Sequence, residues 1–159
     1  LTHSSAGQAQ IWEIATGQCL HSWAHAGNSG LRSAMPQLSP DGTMVLLATS
    51  DCMLRIFSAS SGKALQNLAG HCDIIFHARF SIDSKMLVTA SQDWPHQDCC
   101  IKVWDLSAGH NQCIQTFDKP DAGIFMVELS PDNTAVLTVS RRAGAKLWNI
   151  ASGEFVRSF

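Results

Sequence analysis

The chain has 159 residues, 45% of them apolar and 15% charged, with a formal net charge of −2. That balance is globular rather than disordered, and the length suffices for one ordinary domain with a core. There is no basic block, no acidic tail and no apolar run near the ~20 residues that span a bilayer, so nothing supports nucleic-acid or membrane binding.

The opening residues Leu1-Thr2-His3-Ser4 lack the basic and apolar stretches of a signal peptide. A start at Leu1 rather than Met leads to the expectation that the natural N-terminus lies upstream. Six cysteines (Cys19, Cys52, Cys72, Cys99, Cys100, Cys113) form no secreted disulfide framework, and most sit beside apolar residues. Reduced thiols and a cytoplasmic location are expected.

Along the chain one segment recurs four times: Ile11-Trp12-Glu13-Ile14-Ala15-Thr16-Gly17, Ile56-Phe57-Ser58-Ala59-Ser60-Ser61-Gly62, Val103-Trp104-Asp105-Leu106-Ser107-Ala108-Gly109 and Leu147-Trp148-Asn149-Ile150-Ala151-Ser152-Gly153. The aromatic residue precedes Gly by five positions each time, and the period is 45, 47 and 44 residues (57−12, 104−57, 148−104). Between these segments lie Ser39-Pro40-Asp41-Gly42, Ser81-Ile82-Asp83-Ser84 and Ser130-Pro131-Asp132-Asn133, which are turn sequences. Short runs flanking the turns, such as 44–48 and 135–139, are β-rich in composition and too short for typical helices. Residues 100–104 alternate apolar and polar, as a half-buried strand does.

One period therefore predicts strand a at about 74–80, a tight turn, strand b at about 86–90, a loop, strand c at 100–104, a Gly turn and strand d at about 112–117. Four short antiparallel strands per ~40–45 residues make a propeller blade. The fold class is all-β: a propeller of four-stranded antiparallel blades. The divisions are 1–24 without a strand a, 25–69, 70–118 and 119–159. Three whole blades and most of a fourth lead to the expectation of an incomplete propeller, whose remaining blades lie in a longer protein and would cover apolar faces at both ends.

With these residues in view, the chain resembles the WD-repeat β-propeller family over essentially its whole length. The third copy carries the resemblance best, from Gly70-His71 through Phe80-Ser81, Ala90-Ser91 and Asp98 to Ile101-Lys102-Val103-Trp104-Asp105. The resemblance implies a buried hydrogen-bond network of His71, Ser91, Asp98 and Trp104. The loop acid stands six residues before the aromatic as Asp51 and Asp98, but Ala6 and Arg142 occupy that position in the first and last copies, which are expected to build no such network. Phe57 replaces the indole in the second copy and removes its N–H donor.

Alternating strand direction places the b–c and d–a loops on one face and the a–b and c–d turns on the other. Ser-to-aromatic distances of 18, 23 and 18 (57−39, 104−81, 148−130) locate a five-residue insertion between strands b and c of the third blade. It surrounds Asp93-Trp94-Pro95-His96-Gln97. Trp94 either folds onto its own blade or anchors a partner; His96, Gln97, Ser50, Arg141 and Arg142 share its face as candidate partner contacts. His96, Cys99 and Cys100 form no zinc set, and His71 has no partnered nucleophile. No catalytic motif, cofactor or metal is expected. The function read from the sequence is a non-catalytic scaffold that recruits proteins or peptides. The alternative is a sensor segment of a larger protein whose NTPase or kinase domain lies elsewhere.

Overall fold

A computed structural model describes residues 1–4, 7–24, 34–92, 99–107, 112–118 and 123–159. Among the described residues, fifteen strands form four antiparallel sheets. The first holds β1 (Thr2–His3), β2 (Gln8–Trp12) and β3 (Cys19–Ala24). The second holds β4 (Gln37–Leu38), β5 (Met44–Ala48), β6 (Leu54–Ser58) and β7 (Ala64–Leu68). The third is β8 (Ile75–Phe80), β9 (Met86–Gln92), β10 (Cys99–Asp105) and β11 (Gln112–Asp118). The fourth is β12 (Ile124–Leu129), β13 (Ala135–Ser140), β14 (Gly144–Asn149) and β15 (Phe155–Ser158). Each strand pairs with its neighbours in chain order, the meander of a propeller blade. Strand a of the second sheet is only two residues long.

The a–b turns share one set of bonds. Ser39 Oγ donates to Asp41 Oδ1 (2.6 Å) and accepts from Met44 N (2.9 Å), while Thr43 N donates to the same carboxylate oxygen (3.0 Å). Ser81, Asp83, Lys85 and Met86 repeat this, as do Ser130, Asp132, Thr134 and Ala135. These donors hold the Asp41 carboxyl down at about 2, with the Ser39 hydroxyl the largest cause, and they depress Asp83 and Asp132 likewise. The left-handed position after each Asp is Gly42, Ser84 or Asn133. Ser84 takes it at φ 61° and its hydroxyl accepts from Asp41 N of the preceding sheet (3.1 Å). Asn133 Nδ2 donates to Asp83 Oδ2 (3.1 Å), so successive turns are tied together.

A β-bulge interrupts the c–d pairing immediately before the aromatic in all four sheets, at Ile11/Trp12, Ile56/Phe57, Val103/Trp104 and Leu147/Trp148. Its register aligns His21, Gln66, Gln115 and Arg157 with one another, each opposite the residue before the aromatic.

The sheets stack through three cores, and strand b is shared between two of them. In β5, Val45 and Leu47 pack against the first sheet, while Leu46 and Ala48 pack against the third. In β9, Leu87 faces the second sheet, and Val88 and Ala90 face the fourth. The two-residue period of a strand makes this possible: both faces are buried, so the run is continuously apolar. Polar bonds clasp the same joints. His21 Nε2–H donates to Ser60 O (3.0 Å), and Trp23 Nε1 donates to Gly62 O (3.0 Å). Gln66 Nε2 donates to Leu106 O (3.4 Å), and Gln115 Nε2 to Ile150 O (2.8 Å). Thus one register position on strand d repeatedly donates to a carbonyl one or two residues beyond strand c of the next sheet.

Candidate functional site

The polar centre of the third sheet is built on strands b and c. Thr89 and Ser91 lie two apart on β9 and therefore point to one side, toward the second sheet, as does Trp104 of β10. His71 enters from the loop before β8. Its Nδ1 lies 2.8 Å from Ser91 Oγ and its Nε2 lies 2.6 Å from Thr89 Oγ1. Trp104 Nε1 donates to the same Thr89 Oγ1 (2.9 Å), and the His71 and Trp104 rings sit 6.1 Å apart at 58°. All four residues are buried. A neutral imidazole carries one donor and one acceptor, and the two hydroxyls can complement either tautomer. Burial, and secondarily the Lys102 ammonium, lower the His71 pKa from 6.5 to about 4, so the ring is neutral near pH 7.

Thus His71, Ser91 and Trp104 come together, but through Thr89, which the sequence reading omitted. Asp98 lies outside the described residues. The signal for Thr89 was a threonine hydroxyl in strand b, repeated at one register position. Thr2 is opposite Gln10, Thr89 opposite Lys102 and Thr138 opposite Lys146, each two residues before a Trp. Trp12 Nε1 donates to Thr2 Oγ1 (2.8 Å) and Trp148 Nε1 to Thr138 Oγ1 (3.0 Å). In the first and last copies, where Ala6 and Arg142 stand at the position of the acid, the Trp–Thr bond is kept. In the second sheet both partners are apolar, with Leu47 at the Thr position and Phe57 at the Trp position. That paired replacement leaves neither a donor nor an acceptor stranded.

Asp51 does not meet a histidine. It accepts from the Thr49 hydroxyl and from Arg55 Nη2 (2.6 Å). The Thr49 bond is the largest cause of its lowered pKa, burial opposes it, and Arg55 adds to it. The Arg55–Asp51 pair is solvated, and such pairs contribute little to stability. Asp51 thus caps the turn between β5 and β6, where Thr49 N also donates to Met53 O (2.9 Å).

Ser50 and Asp51 are exposed in the b–c turn of the second sheet, and Arg141 and Arg142 in that of the fourth. Both turns follow a strand b, so they emerge at the same end of the stack. Arg141 N donates to Gly123 O (3.2 Å), which fixes the turn backbone while the guanidinium stays in solvent. Trp94, His96 and Gln97 lie outside the described residues. Cys19, Cys52, Cys72 and Cys113 are free thiols. Among the described residues no group of three metal-ligating side chains occurs, and no helix is long and apolar enough to cross a membrane.

The WD domain, G-beta repeat family matches residues 17–58 and 62–105, more than half of the chain. The chain belongs to the WD-repeat family. Its sheets are WD-repeat blades, and proteins of this family act generally as interaction scaffolds that bind other proteins within complexes and are typically non-catalytic. Among curated proteins it is similar to Transducin beta-like protein 3 of Homo sapiens, 24% identical over 91% of this chain and 18% of that one. It is also similar to Eukaryotic translation initiation factor 3 subunit I of Pyricularia oryzae, 29% identical over 77% of this chain and 34% of the relative. A third is Apoptotic protease-activating factor 1 of Danio rerio, 28% identical over 76% of this chain and 9% of the relative. The chain therefore spans about a third or less of the length of these relatives. The His71–Thr89–Trp104 cluster is buried, whereas Ser50, Asp51, Arg141 and Arg142 of the b–c turns are exposed.

Proposed function

We propose that this chain is a protein-recruiting scaffold segment whose binding face is the end of the stack that bears the b–c turns. The observation that carries the reading is a contrast between the two ends. At the a–b turns the carboxylates of Asp41, Asp83 and Asp132 are occupied by neighbouring donors of their own turns. At the b–c turns Arg141 and Arg142 present two adjacent exposed guanidinium groups. These suit a carboxylate-bearing peptide, since guanidinium groups pair with carboxylates bidentately. The insertion that carries Trp94, His96 and Gln97 falls in the same class of loop.

The test is capture of partners from lysate by the wild-type chain and by the Arg141→Ala/Arg142→Ala variant, with captured proteins identified and their binding remeasured with purified components. A loss of at least about tenfold in affinity with an unchanged urea midpoint supports the reading. Equal binding by the two forms overturns the assignment to this face.

A further inference from the structure

We propose that Cys52 and Cys72 form a dithiol site that exchanges with small disulfides of the class of glutathione disulfide and closes into a reversible bond at the rim of the second sheet. Strand register brings the two residues together. Leu54 opens β6, Leu68 closes β7, and the two are paired, so the chain leaves both strands at the same end of the sheet. Cys52 lies two residues before Leu54, and Cys72 four after Leu68 (54−52, 72−68). Both positions are anchored without help from the sulfurs. On one side Thr49 N donates to Met53 O (2.9 Å), and the Thr49 hydroxyl lies between Met53 O (3.1 Å) and the Asp51 carboxylate. On the other side His71, which precedes Cys72, is held between Ser91 and Thr89.

Cys52 is also an unusual residue for its place. It adopts φ 61°, where Gly7 of the first copy adopts φ 78° at the same position, five residues before the aromatic (57−52, 12−7). Left-handed backbone favours glycine, so a cysteine there bears a conformational cost. The thiol has a neighbour in that position: burial first, and then the charges of Asp73, Asp51 and Cys72, raise the Cys52 pKa. Exposure sets the order of the steps, since Cys72 is exposed and Cys52 half-buried. The Cys72 thiolate attacks one sulfur of glutathione disulfide, forming a mixed disulfide and expelling a glutathione thiolate, which takes up the proton lost by Cys72. The Cys52 thiolate then attacks the Cys72 sulfur, and the second glutathione leaves with the proton lost by Cys52. Two protein thiols are oxidised and one glutathione disulfide is reduced to two thiols. The new bond closes residues 52–72 around β6 and β7, and ties the turn that exposes Ser50 and Asp51 to the segment that carries His71.

The experiment equilibrates the 159-residue chain in buffers of graded glutathione to glutathione disulfide ratio, blocks the remaining thiols with iodoacetamide in urea and maps the disulfides by mass spectrometry. Trypsin cuts after Arg32, Arg55, Lys63 and Arg79, so peptides 33–55 and 64–79 carry Cys52 and Cys72 with no other cysteine. In the wild type these two peptides are expected to be joined, and dithiothreitol should separate them. The joined form should exceed the form with a glutathione on each cysteine by at least about tenfold, because the second step is intramolecular. That preference should fall at least about tenfold when oxidation is carried out in urea, which abolishes the strand register. Cys52→Ser should stop with one glutathione on Cys72, and Cys72→Ser should leave Cys52 as a thiol. A urea midpoint equal to reduced wild type verifies that each variant folds, and the wild-type map requires neither. Separate glutathiones on Cys52 and Cys72, linkage of either to another cysteine, or two thiols that persist to the oxidising end of the series overturns the proposal.

Discussion

Thr89 is the hinge of the polar cluster, and removing its hydroxyl provides a quantitative test. Thr89→Val keeps the shape of the side chain but removes the acceptor for Trp104 Nε1 and the partner of His71 Nε2 at once. Thr89 is fully buried and Trp104 is 2% exposed, so water cannot replace the bond to the indole. A stranded buried donor costs about 1–3 kcal/mol, and with the imidazole nitrogen added the loss should be about 3 kcal/mol. The second sheet shows how the structure tolerates the absence of both groups, with Leu47 and Phe57 in their places. Thr89→Val should therefore cost less in a Trp104→Phe background, by about 1–2 kcal/mol, because no indole N–H is left to strand. Urea denaturation of the wild type, both single variants and the double variant measures this coupling, provided that the m-value is unchanged. Strict additivity would refute the argument, since it would mean that the bond between Thr89 and Trp104 contributes nothing in this surrounding.

Acid should weaken the fold before the carboxylates titrate. His71 is near 4 in the folded chain against 6.5 unfolded, so the unfolded chain takes up the proton first: its contribution is complete above about pH 6.5, declines as pH falls and levels off below about 4. That difference amounts to about 3 kcal/mol, with burial as the main cause, and it should appear as a falling urea midpoint that is shallower in His71→Gln. His77, also lowered to about 4 by burial and then by Arg79, acts in the same direction. The turn glycines should separate by location. Gly17→Ala bears only the left-handed backbone cost of about 1 kcal/mol, whereas Gly62→Ala must also displace His21 and should lose roughly 2–3 kcal/mol by thermal or urea melts.

The blades were legible because their signals are local. The aromatic-to-Gly spacing fixes the c–d turn, and Ser-x-Asp fixes the a–b turn, where the side chains bond within five residues. The proximity of His71, Ser91 and Trp104 followed from resemblance, since nothing local joins positions 71 and 91. Thr89 was missed because its role depends on which face of β9 it occupies, and a strand buried on both faces does not announce them. The clasps were less legible still. His21, Gln66, Gln115 and Arg157 are of three residue types, and only the bulge register makes them equivalent. Ser84 carries the positive φ that Gly42 and Asn133 carry in the other turns, and its hydroxyl is used by the neighbouring sheet.

The sharing of β5 and β9 between two cores also limits how such a chain can change its length. Deleting one residue within β9 would send Leu87 and Val88 to each other's neighbours and carry Thr89 away from Trp104, spoiling both adjoining interfaces in one event. Insertions and deletions are thereby channelled into the connections or into whole repeats. The five-residue difference between the third copy and its neighbours falls between Ser81 and Trp104, where β9 and β10 run longer than β5 and β6 at the ends joined by the b–c connection, leaving the register nearer the a–b and c–d turns unchanged. Novelty can accumulate at one rim of this architecture while its interior keeps strict count.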